Sequence, residues 1–225
     1  MDLNYIKNVA IGAAYGSAAI LNRFFGRLSG IAQKGPDNLV TEADVASEKQ
    51  IIETIRSKFP DHDILAEESG WHKSGDSRYR WIIDPLDGTT NYAYQLPIFS
   101  ISIGFAVDDD IMMGLVLNPA SGELFTAVRG QGAYLNGVPI RVSARNDIGE
   151  ALLVTGFPYD VDQILRSVMR RFEACLTAAR GIRRLGSAAL DLCFVACGRF
   201  DGFWEEHLKP WDTAAGVSQG LRCSS

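Results

Sequence analysis

The segment Trp81-Ile82-Ile83-Asp84-Pro85-Leu86-Asp87-Gly88-Thr89-Thr90 gathers more potential chemistry than any other stretch of the chain. An apolar run that halts at Asp-Pro predicts a buried strand reaching its end, because proline cannot donate to a continuing ladder and restricts the residue before it. Asp84 and Asp87 are thereby delivered to one loop. Two carboxylates held that close repel each other unless a cation lies between them, and oxygen donors of this kind suit Mg2+ better than zinc or copper. Gly88 permits close approach of the backbone to a ligand, and Thr89 and Thr90 add hydroxyls beside it. A strand followed by a polar turn explains any one of these residues but not the set.

Similar chemistry recurs on both sides of this segment. Ala66-Glu67-Glu68-Ser69-Gly70 follows the apolar pair Ile64-Leu65, so two more carboxylates lie at a predicted strand end. Lys209-Pro210-Trp211-Asp212-Thr213-Ala214-Ala215-Gly216 places Asp212 as the N-cap of a short helix. Taken singly, Glu67 and Glu68 read as solvated surface acids and Asp212 as a cap and nothing more. Together the acids turn a local motif into a site.

The three motifs, in this order, resemble those of the inositol monophosphatase family of Mg2+-dependent, lithium-sensitive phosphatases. The resemblance runs from the N-terminal helix through Lys34-Gly35-Pro36-Asp37-Asn38-Leu39-Val40-Thr41-Glu42-Ala43-Asp44 to Gly216. It implies an α+β fold, a layered α/β/α/β/α sandwich with the metal site where the layers meet. It also implies roles for individual residues. Glu67, Asp84 and the backbone carbonyl of Leu86 look like ligands of a first Mg2+, and Asp84, Asp87 and Asp212 like ligands of a second, in a site of two or three ions. Thr89, hydrogen-bonded to Asp44, resembles the residue that orients a nucleophilic water with help from Glu67, with no covalent phosphoenzyme.

By the same resemblance, the substrate contacts are Asp87, Gly88, Thr89, Thr90, Gly186, Ser187, Ala188 and Glu205, and Lys34 helps to neutralise phosphate. Read without the resemblance, Glu205 beside Glu206 is a solvated loop acid and Lys34 a flexible surface lysine. The expected substrate is a small phosphomonoester, myo-inositol 1-phosphate first, and the expected assembly a homodimer. Fructose 1,6-bisphosphate, histidinol phosphate and 3'-phosphoadenosine 5'-phosphate are the alternatives. A phosphatase-like binding or regulatory protein with impaired catalysis is the alternative of a different class.

At 225 residues and 47% hydrophobic, the chain has the size and composition of one large domain spanning residues 1–225. A net charge of -5 and a pI near 5.2 offer no general attraction to nucleic acid or anionic membrane, so neither is an expected partner. No apolar run is long enough for a bilayer, which makes cytoplasmic residence the expectation. Cys175, Cys193, Cys197 and Cys223 form no C-x-x-C pair and read as buried structural thiols. His62, His72 and His207 lie at no metal-ligand spacing.

Apolar spacing predicts helices over 3–25, 44–58, 161–179 and 187–197. Alternation at Ile98 to Ile103 and turns at Asp108-Asp109-Asp110, Asn118 to Gly122 and Asn136-Gly137 predict an antiparallel meander over 98–142. After Gly216 the family continues through further apolar elements, whereas this chain ends Val217 to Ser225, so an incomplete C-terminus after about residue 216 is the expectation.

Overall fold

Apolar spacing and turn chemistry resolve into an alternating series of helices and strands in the computed structural model, which describes residues 2–28, 31–33, 39–75, 77–158 and 161–220. In chain order these are α1 (Leu3–Phe24), β1 (Ile31–Gln33), β2 (Leu39–Thr41), α2 (Glu42–Lys58), β3 (Asp63–Ala66), β4 (Gly70–His72) and β5 (Tyr79–Asp87). There follow α3 (Thr89–Ala93), β6 (Ser100–Val107), β7 (Asp110–Asn118), β8 (Glu123–Val128), β9 (Gly132–Leu135) and β10 (Val138–Pro139). The last group is β11 (Leu152–Thr155), α4 (Leu165–Ala178), β12 (Gly181–Arg183), α5 (Ala188–Ala196), β13 (Gly202–Trp204) and α6 (Pro210–Gly220).

Helix α1 starts where the Asp2 carboxylate accepts from the amide of Asn4 at 2.9 Å, and it buries Ile6, Ala10, Ala13, Ala14, Ser17 and Leu21 on one stripe. Helix α2 opens with a reciprocal cap: Thr41 Oγ1 accepts from the Asp44 amide, and Asp44 Oδ2 accepts from the Thr41 amide at 2.8 Å. Both helices cover one face of an eight-stranded sheet ordered β10-β9-β8-β7-β6-β5-β3-β4. Only β3 and β5 pair in parallel there.

Trp81, Phe99, Phe105, Ile55 and Leu21 fill the layer between α1, α2 and the sheet. On the opposite face, α5 and α6 pack through Leu190, Cys193 and Ala215 against Val116 and Phe125. Beyond them lies a parallel three-stranded sheet ordered β12-β11-β13, and α4 packs against β12. The stacking is therefore α/β/α/β/α, as the resemblance implied.

Strands β6 to β10 form the expected meander, and its turns follow local chemistry. Asn118 Oδ1 accepts from Ala120 and Ser121 amides, and Asn136 and Gly137 both adopt positive φ, 49° and 80°. Three expectations need correction. Strand β5 does not stop at Asp84 but continues through Pro85 to Asp87. Its pairing with β6 slips there, from Asp84↔Ser102 to Asp87↔Ser100, and a bulge of this kind tolerates the missing proline donor.

The helix expected over 161–179 is a single 3-10 turn, Val161–Gln163, followed by α4, and the break falls at Ile164, whose φ of -123° is not helical. Of the described cysteines Cys193 is buried while Cys175 and Cys197 are half-buried; Cys223 lies outside the described residues. No helix among the described residues is long and apolar enough to cross a membrane.

Helix α6 rests on a cross-strand glycine pair, Gly104↔Gly114. A Cβ on Gly104 would come within 2.9 Å of Ala214 Cβ, and one on Gly114 within 2.5 Å of the Ala215 carbonyl oxygen. Gly114→Ala is therefore expected to lower stability by about 1–3 kcal/mol through overpacking. Gly12→Ala, at an open position of α1, should raise it by about 0.5–1 kcal/mol. Urea unfolding of both variants checks the pair; a neutral Gly114→Ala would show that α6 does not lean on this contact.

Candidate active site

Parallel pairing of β3 with β5 puts the end of one beside the catalytic-looking end of the other. The ladder reaches Ala66↔Ile83 and is extended by the Glu67 amide, which donates to the Ile83 carbonyl at 3.1 Å. Glu67 thus stands next to Asp84. The turn that carries it is held by a residue the sequence reading overlooked: Glu48 of α2, 4% exposed, accepts from the amides of Glu68 at 2.8 Å and Ser69 at 3.0 Å. Glu48 lies one helical turn beyond Asp44, and that spacing was the available signal.

Asp84 is 2% exposed, and its Oδ1 accepts from the Leu86 amide at 2.9 Å. Burial raises its pKa well above the usual carboxylate range, and the charges of Glu67, Asp87 and Asp212 push it further the same way. Asp87 closes β5 and meets the start of α5. Its Oδ2 accepts from Ser187 Oγ at 2.5 Å, the Ala189 amide at 2.9 Å and Ser100 Oγ at 3.3 Å, and its Oδ1 from the Ala188 amide at 3.3 Å. The orphan amides at the start of α5 therefore find their acceptor across the fold, on β5. Burial still raises the Asp87 pKa, against these hydrogen bonds.

Asp212 corrects the sequence reading. Helix α6 begins at Pro210, so Asp212 lies inside the first turn and is not its N-cap; its Oδ2 reaches back to accept from the Lys209 amide at 2.6 Å. Burial lifts its pKa to about 6. Thr89 Oγ1 lies 3.1 Å from Asp44 Oδ1 and 3.0 Å from the Leu86 carbonyl oxygen, so one hydroxyl joins α2 to the acidic loop. Asp44 is buried, and burial raises its pKa.

Gly88 precedes α3 at φ 96°, and a Cβ there would come within 3.1 Å of the carbonyl oxygens of Gly186 and Ile98. Only glycine serves a left-handed site this crowded. With five residues, α3 contributes free amides more than a helix dipole.

Thr90 is exposed on α3, and Asn91 Nδ2 ties this turn to the Ile98 and Leu185 carbonyls at 2.7 Å each, bringing Gly186, Ser187 and Ala188 to the acidic loop. Glu205 follows β13, is half-buried, and has its pKa pushed up to about 7 by burial and then by Asp87. Lys34 lies outside the described residues.

The donors gathered here are all oxygens, and neither Asp84 nor Asp87 forms a salt bridge among the described residues. A buried acid with three acidic neighbours and no ion-pair partner suits a hard divalent cation. Among the described residues no three of these groups converge to ligating geometry as they stand. Several of their oxygens are engaged with amides and hydroxyls, so holding an ion requires side-chain adjustment.

Layered fold and acidic site together are those of a phosphatase of the sandwich type. The model of the inositol monophosphatase family matches residues 2–218, and the chain belongs to that family. It is 45% identical over 216 residues to the Nus factor SuhB of Haemophilus influenzae, covering 95% of this chain and 81% of that protein. It is 44% identical to an inositol-1-monophosphatase of Synechocystis sp., covering 96% and 76%. A crystal structure of the extragenic suppressor protein suhB from Bartonella henselae superposes with a TM-score of 0.94 at 38% identity, over 97% of this chain and 85% of that one. Family membership supports a phosphatase hydrolase.

The raised acids make the metal-free protein sensitive to pH. A carboxyl whose folded pKa is raised contributes stability that is complete below its unfolded pKa and lost as pH rises through the folded one. With Asp212 at about 6, Glu205 at about 7 and a further buried acid, Asp191, at about 8 through burial and then Asp87, the loss falls across the range up to about pH 8. Glu123, whose pKa is lowered by its hydrogen bond with Arg199, acts only below that range. In chelator, the melting temperature should therefore fall between about pH 5 and pH 8. A rise over that interval would overturn this electrostatic account.

Proposed function

We propose that the protein is a Mg2+-dependent phosphomonoesterase acting on a polyol phosphate, with myo-inositol 1-phosphate as first substrate. The observation that carries this reading is buried Asp84 flanked by the charges of Glu67, Asp87 and Asp212, with the Thr89–Asp44 hydrogen bond alongside. Glu67, Asp84 and the Leu86 carbonyl would hold one Mg2+, and Asp84, Asp87 and Asp212 another. When bound, such a pair supplies charge to polarise a phosphoryl oxygen and lower the pKa of a bound water.

The chain's own residues do the rest. Thr89 keeps its proton and donates it in a hydrogen bond to Asp44, which leaves the Thr89 oxygen free to accept a hydrogen bond from an attacking water, and Glu67 takes the proton that the water loses. The amides of Gly88 and Thr89 face phosphate oxygens, and Thr90, Gly186, Ser187 and Ala188 line the approach. Glu205 accepts a substrate hydroxyl. Leu165, Met169 and Leu176 expose an apolar face of α4, which supports the homodimer that the family resemblance implies.

Asp84→Asn should lower turnover by more than about a hundredfold, since the shared ligand loses its charge. Normal turnover in that variant, or in excess chelator, would end the two-metal reading. Glu205→Gln should raise KM for myo-inositol 1-phosphate about tenfold and leave phenyl phosphate unchanged, because the lost acceptor touches only the polyol. Equal losses on both esters would assign Glu205 to the fold instead.

A second reading is a binding or regulatory role, supported by the name Nus factor that the Haemophilus influenzae relative carries. Folded protein that turns over none of a panel of phosphomonoesters with Mg2+ would favour it.

A further inference from the structure

The parallel sheet β12-β11-β13 has two ends, and the acidic cluster borders only one of them. Glu205 follows the last residue of β13, and the segment leading to Ser187 follows β12. At the opposite end, where Leu152 and Gly181 start their strands side by side, lies a cleft of about 570 Å³ lined by Arg145, Arg180, Arg183 and Arg199. In a chain of net charge -5, four guanidiniums on one cleft call for a ligand.

Two of these arginines are held in place from behind. The Asp201 side chain is 6% exposed; its Oδ1 accepts from Arg145 Nη1 at 2.9 Å and its Oδ2 from the Leu152 amide at 2.7 Å, so one carboxylate fixes guanidinium and strand end together. Arg199 donates through both Nη atoms to Glu123 of β8 and lies over the Phe194 ring, 4.8 Å from its centroid. Each keeps further N–H donors for a ligand. Arg180 and Arg183 form no salt bridge among the described residues, and both are exposed. Arg183 folds back over its own strand: Nη1 donates to the Ile182 carbonyl at 2.9 Å and stands 3.6 Å from where a Cβ on Gly181 would lie.

We propose that this cleft is an anion-binding site, separate from the acidic one, for a small molecule carrying two or more linked phosphoryl groups. The free donors of four guanidiniums exceed what the three oxygens of one phosphoryl group accept. The volume lies in the range of about 300–1,000 Å³ that small-molecule sites occupy. Among the described residues no aromatic ring lines the cleft, so it offers no stacking platform for a base and reads the phosphates alone. Asp201 and Glu123 offset much of the charge on Arg145 and Arg199 but fix their geometry in advance, which leaves Arg180 and Arg183 as the main source of attraction. Glu150, exposed on the same wall, opposes an anion. No metal and no residue of the acidic cluster takes part, so the site stands apart from the phosphatase reading.

The test is calorimetric titration of the whole protein, stripped of metal and dialysed free of chelator, with inorganic tripolyphosphate and separately with adenosine triphosphate. Without cations the acidic cluster repels both probes. Each is expected to bind with a Kd on the order of micromolar, the two within about threefold of one another. Arg180→Gln and Arg183→Gln should each weaken binding about tenfold or more, since a charge-assisted contact is lost. Glu150→Gln should tighten it about threefold, the opposite sign. Arg56→Gln, at an exposed position of α2 on the far face of the large sheet, removes the same charge and should leave the affinity unaltered.

Wild-type protein that binds neither probe, or a loss in Arg56→Gln equal to that in Arg180→Gln, would overturn the site. Tighter binding of a single-stranded RNA oligonucleotide than of tripolyphosphate in the same titration would assign the cleft to nucleic acid and overturn it too. So would absence of anion binding together with a change of oligomeric state in Arg180→Gln by sedimentation, which would make the cleft a contact between copies of the chain. Unchanged melting temperatures separate lost binding from lost folding; should one arginine variant fail to fold, the other decides, together with the opposite shift in Glu150→Gln.

Discussion

Asp84 is buried on β5 with three other acids around it, an arrangement that opposes folding unless something else holds it together. Much of the architecture can be understood as that restraint. The parallel β3–β5 pair fixes Glu67 beside Asp84 through backbone hydrogen bonds, which no side-chain repulsion easily breaks. The β5 bulge turns Asp87 toward α5, and the glycine pair under α6 lets the element carrying Asp212 sit directly on the sheet. The large apolar layer under α1 and α2 provides the stability against which such an unfavourable cluster can be maintained.

Helix ends have a double use in this molecule. Asp44 closes the cap of α2 and also lies within reach of the Thr89 hydroxyl. Asp87 satisfies the first amides of α5 and completes the acidic cluster. Asp212 braces the first turn of α6 through Lys209 while its own charge reaches Asp84. Each acid is tied to a backbone group of its own element, so the elements are placed before any ligand arrives, while the side chains must still adjust to hold an ion. The same economy explains why Glu48 matters: it makes no claim on chemistry, yet it holds the turn that carries Glu67.

The groups beside the acidic cluster are placed differently. Glu205 and Arg184 come from short connections at the ends of three-residue strands, and Asp191 from the helix behind them. Groups at sheet ends and helix caps are held stiffly, while groups on connections can vary in sequence without disturbing them. This division agrees with a family in which the acidic core is a firmer guide to reaction class than to substrate.

The sequence alone determined the acidic motifs, the meander with its Asn136-Gly137 turn, a helix over 44–58 without its cap, and through family resemblance the order of layers. These are local signals: periodicity, capping chemistry and turn preferences act over a few residues, and the motifs are contiguous. Only the tertiary structure decided that β5 runs through Pro85, because the partner strand β6 supplies the slipped register that accommodates it. It likewise moved Asp212 from cap to first turn, and found partners for Asp87 about a hundred residues away in sequence, at Ser187 and Ala189. Glu48 and Asp191 look like ordinary helix residues in the sequence. What distinguishes them is burial among groups distant in the chain, a property that the packed layers create and no local pattern of residues encodes.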